Sequence, residues 1–260
     1  MRTAFSVVLL AGFLVLHSPV SSSQAPPERP RPPDGGTREV LVSILIPSLP
    51  NAPFSATVAT ESVRQLADGS RITLVNRRAI ARDTAGRIFQ ERRLLVPDDG
   101  KHESIVTQIE ISDPVSHQLC ICVPRERVCQ LEFFSAPQFV SPVAGPASAA
   151  KQPGSPGRED LGKQFVSGLE TLGIRETTVI EAGAIGNDSP ITVSREYWYS
   201  PQLGVNLISK LQDPRIGTQD FEVLDITVGE PDRKLFAVPP GSQIIDLRRT
   251  PPAPVSDSSR

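Results

Sequence analysis

Between residues 186 and 239 short apolar runs alternate with polar positions at a period of two, and turn chemistry breaks them at regular intervals. Two five-residue breaks share one pattern, Ser200-Pro201-Gln202-Leu203-Gly204 and Asp213-Pro214-Arg215-Ile216-Gly217. In each, the first side chain can bond the backbone ahead, Pro presets φ, and the closing Gly takes the left-handed conformation that ends a hairpin loop. The stretch therefore predicts a β-meander. Upstream, residues 54–66 and 71–82 flank the turn Ala67-Asp68-Gly69 and read as a long hairpin. Further strands are predicted over 87–96 and 104–112, around Cys120 and Val128, and over 161–167 and 174–181. Residues 37–46 form an apolar, β-branched run ended by Pro47, which suits an edge strand or a segment laid across the sheet. Turn signals at this spacing predict a mainly β fold of about ten to twelve antiparallel strands with few short helices. A sheet that large curls or splits to bury one face, so the expected architecture is a strongly curved antiparallel meander, an open half-barrel.

The N-terminus follows a different pattern. Arg2 precedes an apolar run over residues 4–16, and small polar residues follow at 19–23, which is the layout of a secretory signal peptide spanning residues 1–22. The run is too short to cross a bilayer as a helix of roughly 20 residues, and no comparable run occurs later. The 26 Pro of the chain concentrate in a tether at 23–38, a low-complexity insertion at 135–160 and a tail at 250–260. Such segments bury too little apolar surface to offset their ordering entropy, so insertion and tail are expected to be disordered. The remainder, residues 39–249 around the insertion, is expected to form a single domain. Removal of Arg2 with the signal takes the formal charge from −2 to −3, which offers no global attraction to nucleic acid. A periplasmic or secreted location follows from export.

No enzymatic motif stands out. The mature chain keeps two His, His102 and His117, and neither lies in a zinc-protease, phosphate-loop or nucleophile-elbow pattern. Asp98 or Asp99 near His102 reads as a solvated turn rather than a dyad. Residues 183–186 lack the helix that phosphate capture needs. No cofactor or metal is expected, and the chain is expected not to be an enzyme.

The run from His117 to Cys129 reads as two strands joined by the loop 124–127, so that Val123 opposes Val128 and Cys122 opposes Cys129. A Cys122–Cys129 disulfide fits that register and an oxidising compartment, leaving Cys120 as an odd thiol on the same face. Reduced core thiols, or a soft metal ion held by His117 and the three Cys, are the alternatives. Seven Arg against two acids between Arg71 and Arg93 make a local balance of +5 that includes Arg77, Arg78, Arg92 and Arg93. This basic patch is either a solvated face with cross-strand ion pairs or a docking surface for an anionic group.

Several segments carry a family resemblance: Asn51-Ala52-Pro53-Phe54-Ser55-Ala56, Leu66-Ala67-Asp68-Gly69-Ser70, Ala81-Arg82-Asp83-Thr84-Ala85-Gly86-Arg87, Ile185-Gly186-Asn187, Tyr197-Trp198-Tyr199-Ser200-Pro201, Ser209-Lys210 with Asp213-Pro214-Arg215, and Leu235-Phe236-Ala237-Val238-Pro239. Together they resemble a family of uncharacterised exported bacterial β-rich proteins. That family is in turn distantly similar to the lipoprotein localisation factor, whose curved half-barrels hold acyl chains. The three Cys and the long insertion depart from the pattern. The resemblance carries over the fold alone; together with export and strand pattern, the chain reads as an exported, non-enzymatic binding protein that holds a lipid, acyl chain or other hydrophobic or amphipathic molecule in the concave face of its sheet. An envelope module that recognises another protein is the alternative. With only 13 aromatic residues, a sheet of this size is expected to leave a groove, lined by Phe54, Val58, Ile72 and Leu74, with Trp198 and Tyr199 as core plug or ligand grip. Processing provides the first test: the exported protein should begin near Ser23 and carry no acyl group, and an intact mass that retains residues 1–22 refutes the assignment.

Overall fold

The computed structural model describes residues 44–133 and 157–248, so the signal segment, the tether, the tail and most of the insertion lie outside the described residues. The described residues form thirteen strands: β1 (Phe54–Gln65), β2 (Arg71–Arg82), β3 (Ile88–Arg93), β4 (Val96–Pro97), β5 (Val106–Asp113), β6 (Gln118–Val123), β7 (Val128–Phe133), β8 (Gly157–Val166), β9 (Leu169–Ile180), β10 (Ile191–Ser200), β11 (Val205–Asp213), β12 (Gly217–Val228) and β13 (Gln243–Asp246). They join in one open, curved sheet ordered β13-β7-β6-β5-β3-β2-β1-β12-β11-β10-β9-β8, with β4 paired to β2. Every pairing is antiparallel except β13 with β7, which is parallel. Helix among the described residues is a single 3-10 turn, Arg233–Phe236. Strand β8 starts at Gly157, four residues inside the segment assigned above to the insertion, and β9 starts at Leu169, earlier than its apolar pattern suggested.

Turn chemistry sets the register. Gly204 and Gly217 both have positive φ, as the two repeated turns require. At Gly217 a side chain is excluded twice over, because a Cβ there would also stand 2.0 Å from the Val63 carbonyl oxygen. Asp213 caps the second turn by accepting from the Arg215 backbone N–H at 3.0 Å.

The sheet buries different faces in its two halves. Pairing places Ala56 opposite Ile80, while Ser55 opposes Ala81 and Ala81 opposes Phe89, so Ile80 and Ala81 point to opposite faces. On the first face Phe54, Val58, Ile80, Leu207, Phe221 and Val223 form a core roofed by Ile44, Ile46 and Leu203. Residues 44–49 adopt no strand, so of the two readings for the N-terminal run, its described end matches the segment laid across the sheet. On the second face Phe89, Ile111 and the three Cys pack beneath Leu235, Phe236 and Val238. Strand β2 is where the buried side changes, which is why Ile80, Ala81 and Arg82 are all fully enclosed.

Arg82 holds the first core shut. Its side chain has no exposure at all, and its Nε and Nη2 donate to the Ala52 carbonyl at 3.0 and 2.7 Å. Nη1 donates to the Pro47 carbonyl at 2.9 Å, Nη2 also reaches the Leu203 carbonyl, and the guanidinium lies 5.0 Å from the Phe54 ring centroid. Burial lowers its pKa to about 10, which still leaves it charged near neutrality. Arg82→Met should cost about 3 kcal/mol or more, because three buried or half-buried carbonyls lose their donor at ~1–3 kcal/mol each. Chemical denaturation measures this; a loss no larger than that of Arg92→Ala contradicts it.

Candidate functional site

The groove expected from the pattern does not form where it was placed. Phe54 and Val58 have zero exposure because Ile44 and Ile46 lie over them, which makes them core rather than groove. Ile72 and Leu74 share their face through alternation along β2 but sit near the β1–β2 turn, Ile72 exposed and Leu74 half-buried. Trp198 lies opposite Ile208 and Tyr199 opposite Asn206 across a register shift; the Tyr199 hydroxyl stands near Gly204, at the end of the first core. The six residues are therefore not one surface.

The basic patch divides as well. Alternation along β2 sends Arg77 and Arg78 to opposite faces, Arg77 exposed and Arg78 buried. Burial, reinforced by the nearby Arg92, lowers the Arg78 pKa to about 10. Arg92 binds the Glu110 carboxylate through two hydrogen bonds of 2.9 Å, the cross-strand ion pair expected of a solvated face. Arg93 engages Glu91 at 2.8 Å and the Ser104 carbonyl at 2.7 Å.

A cavity of about 880 Å³ opens instead on the other face of β1, β2, β11 and β12. Two register rows build its floor. One runs Arg77, Ala59, Glu222, Ile208 and then Trp198 across β2, β1, β12, β11 and β10. The next runs Val75, Glu61, Asp220, Lys210 and Glu196, and continues to Arg175 on β9 and Glu159 on β8. Val96, Asp98 and residues 102–104 form a side wall, held against β2 by the β4 pairing.

Ala59, Val75, Ile208 and Val96 supply an apolar strip, and charges border it. Along the second row signs alternate from Glu159 to Asp220, with Arg175 bound to Glu159 at 3.0 Å and to Glu196 at 2.9 Å. Alternation fails only where Asp220 meets Glu61, two carboxylates directly opposite inside the cavity. Burial pushes the Asp220 carboxyl above its ordinary range against the pull of Lys210. Burial also acts to raise Glu196, but hydrogen bonds from Trp198 and Arg175 outweigh it and hold Glu196 below the usual range. Asn76, between Val75 and Arg77, turns its side chain to the opposite face, where its Oδ1 is buried and receives no hydrogen bond.

Two groups of the cavity could in principle take part in acid-base or nucleophilic chemistry, His102 and Ser104. His102 lines it and contacts the Asp99 carboxylate at 2.9 Å, in an exposed loop. Ser104, the nearest hydroxyl in sequence, donates to the Leu94 carbonyl at 2.6 Å rather than to His102, so no activated nucleophile is assembled there. Cys122 and Cys129 are joined by a disulfide across β6 and β7, and Cys120 is a buried free thiol beside them. His117 has a positive φ of 54°, at the turn before β6.

No family model matches the chain, and no curated protein matches it. Among solved structures it is similar to a Pseudomonas aeruginosa MucA/MucB complex, at 16% identity and a TM-score of 0.39, over 75% of this chain and 58% of that one. It is also similar to a LolA superfamily protein from Nitrosomonas europaea, at 11% identity and a TM-score of 0.30, over 73% of this chain and 91% of that one. A third is the Mycobacterium tuberculosis lipoprotein LppX, at 11% identity and a TM-score of 0.29, covering 70% and 87%. The chain thus spans 58% of the MucA/MucB chain it matches. These are distant likenesses of fold, and the cavity is argued from this chain's own residues.

Sequence reasoning missed the cavity because its floor is drawn from strands at the two ends of the domain. The usable signal was the polar alternation of β11 and β12, Ile208 with Lys210 and Asp220 with Glu222. Trp198 borders the floor through Ile208 and lies over Gly173 on β9, where a Cβ would stand 2.5 Å from the indole ring. Gly173→Ala should therefore displace the indole, break its 2.8 Å bond to Glu196 and cost about 1–3 kcal/mol of stability. As the chain has a single Trp, a shifted emission maximum reads this directly, and unchanged emission with unchanged stability contradicts the packing described.

Proposed function

We propose that the protein is an exported, non-enzymatic binding protein that holds an amphipathic molecule in this cavity, with a lipid or acyl chain as the first candidate. One observation carries the reading: the apolar strip of Ala59, Val75, Val96 and Ile208 lies beside Arg77, whose guanidinium has no hydrogen bond or ion pair among the described residues. Apolar lining with a few placed polar groups is the composition of small-molecule sites, and about 880 Å³ falls in their range of roughly 300–1,000 Å³. A guanidinium fork suits the phosphate or carboxylate of such a ligand. The signal-like N-terminus supports a periplasmic or secreted setting, and no described helix is long and apolar enough to cross a membrane. No cofactor enters this reading, and nucleic acid has no place in it.

A second reading, an envelope protein-interaction module, is favoured by the open sheet. Its ten-residue edge strand β8 is largely exposed and, among the described residues, pairs on one side only, with β9. Such an edge can accept an extended strand of a partner protein.

A lysophospholipid with a fluorescent chain separates the two. Delipidated protein should bind it saturably and change Trp198 emission. Arg77→Ala should weaken binding about tenfold, the loss of one charge-assisted contact. Val75→Gln should weaken it several-fold, and Arg92→Ala, already engaged by Glu110, should leave it unchanged. Val58→Gln should unfold the domain rather than affect binding selectively, since Val58 is core. Absence of saturable binding by protein with a normal thermal melt overturns the carrier reading in favour of the interaction module.

A further inference from the structure

The β6–β7 hairpin carries chemistry that ligand binding does not use. Cys122 lies opposite Cys129, and alternation along β6 puts Cys120 on the same face two residues earlier. The Cys120 Sγ is 3.6 Å from the Cys122 Sγ, and all three sulfurs lie within 4.8 Å of one another. All three residues are buried. Around them stand Ile109, Ile111 and Leu131 of the adjoining strands, with Leu235, Phe236 and Val238 as the cover. Charged neighbours of this cover are Arg233 and Lys234 of its own 3-10 turn and Arg87, which engages the Phe236 ring at 5.0 Å and the Asp83 carboxylate at 2.6 Å.

We propose that Cys120 is an internal exchange partner for the disulfide, so that the hairpin isomerises between a Cys122–Cys129 and a Cys120–Cys122 pairing without any outside oxidant or reductant. The Cys120 thiol gives its proton to solvent base, and its thiolate attacks the Cys122 sulfur. A Cys120–Cys122 bond forms as the Cys122–Cys129 bond breaks. The bonding pair leaves on Cys129, which takes a proton, so one thiol and one disulfide remain and nothing is oxidised or reduced overall.

Two physical limits shape the equilibrium. Residues two apart on a strand have Cα atoms about 6.7 Å apart, at the upper end of the ~4.4–6.8 Å that a disulfide spans, so the Cys120–Cys122 form requires β6 to bend and is the minor one. Burial raises the Cys120 thiol above its ordinary range, so the reactive thiolate is scarce near neutrality and exchange accelerates as pH rises. The consequence lies at the sheet edge. Once Cys129 is released, β7 loses its disulfide cross-link to β6 and is joined to it only through the loop 124–127, and β7 carries β13, whose Ile244 aligns with Cys129. The exchange therefore loosens β7, β13 and the segment covering the cluster.

The test is thiol mapping on the full mature chain, without reductant. Protein is held at pH 7 or pH 9, quenched in acid, unfolded and alkylated with a reagent that acts at low pH. Trypsin cuts after Arg125 and Arg127, separating Cys129 from the peptide that holds Cys120 and Cys122. At pH 7 alkylation should fall mainly on Cys120, with Cys129 linked to the other peptide. At pH 9 alkylated Cys129 should appear together with a Cys120–Cys122 peptide 2 Da lighter than its reduced form. The rate should rise about tenfold per pH unit below the thiol pKa. Cys120→Ser should abolish the signal; if that variant folds poorly, Cys120→Ala serves as the control. Alkylation confined to Cys120 at pH 9, while the same protein scrambles in guanidinium, overturns the proposal and leaves Cys120 a packed core thiol. Alkylation of all three Cys overturns it too, since no disulfide would then exist to exchange.

Discussion

The domain depends on a charged side chain placed where charge is costly. Stripping water from a guanidinium carries a penalty of several kcal/mol, and Arg82 offsets it with four hydrogen bonds to backbone carbonyls and with the Phe54 ring. The bonded carbonyls come from three separate stretches: Pro47 in the roof, Ala52 before β1 and Leu203 in the β10–β11 turn. A hydrophobic residue could fill the volume but could not serve acceptors that strand pairing leaves over. Arg82 therefore links the roof, the first strand and a distant hairpin turn in one contact, and the core around Phe54, Val58 and Leu207 closes beneath it.

That closure decides which face of the central strands stays open. Because Ile44 and Ile46 cover the apolar face of β1, β2, β11 and β12, the opposite face of the same strands is the one left open. On that face the rows carry charges with small or β-branched residues between them, and the β4 wall encloses the space from one side. Toward β5, β6 and β7 the second face becomes core, under the segment at 235–238. The cavity thus occupies the part of a two-faced sheet that neither cover reaches.

The two covers differ in how they are held. The first is fixed by the buried Arg82, whose bonds do not respond to redox conditions. The second rests on a hydrophobic cluster built around a disulfide with a thiol beside it, and it borders the edge closed by β13. The hairpin belongs to the second cluster and Phe54, beneath Arg82, to the first.

Much of the architecture was legible locally. Period-two alternation, the paired turns ending in Gly204 and Gly217, and the Cys122–Cys129 register all arise from interactions between residues close in the chain, so the strands, the hairpins and the predominance of antiparallel pairing could be read from the sequence. The parallel strand β13 and the early start of β8 could not, because both are decided by partners far away: β7 for the one, β9 for the other. Alternation says which residues share a face but not which face is covered. Phe54 and Val58 were placed together correctly and read as groove because the pattern is silent on Ile44 and Ile46 folding over them. Arg82 looked like one more member of a basic run, since nothing in its neighbours announces three carbonyls converging on it. The cavity joins β1 and β2 to β11 and β12, more than a hundred residues apart, and only the β1–β12 pairing brings Arg77, Ala59, Glu222 and Ile208 into one row.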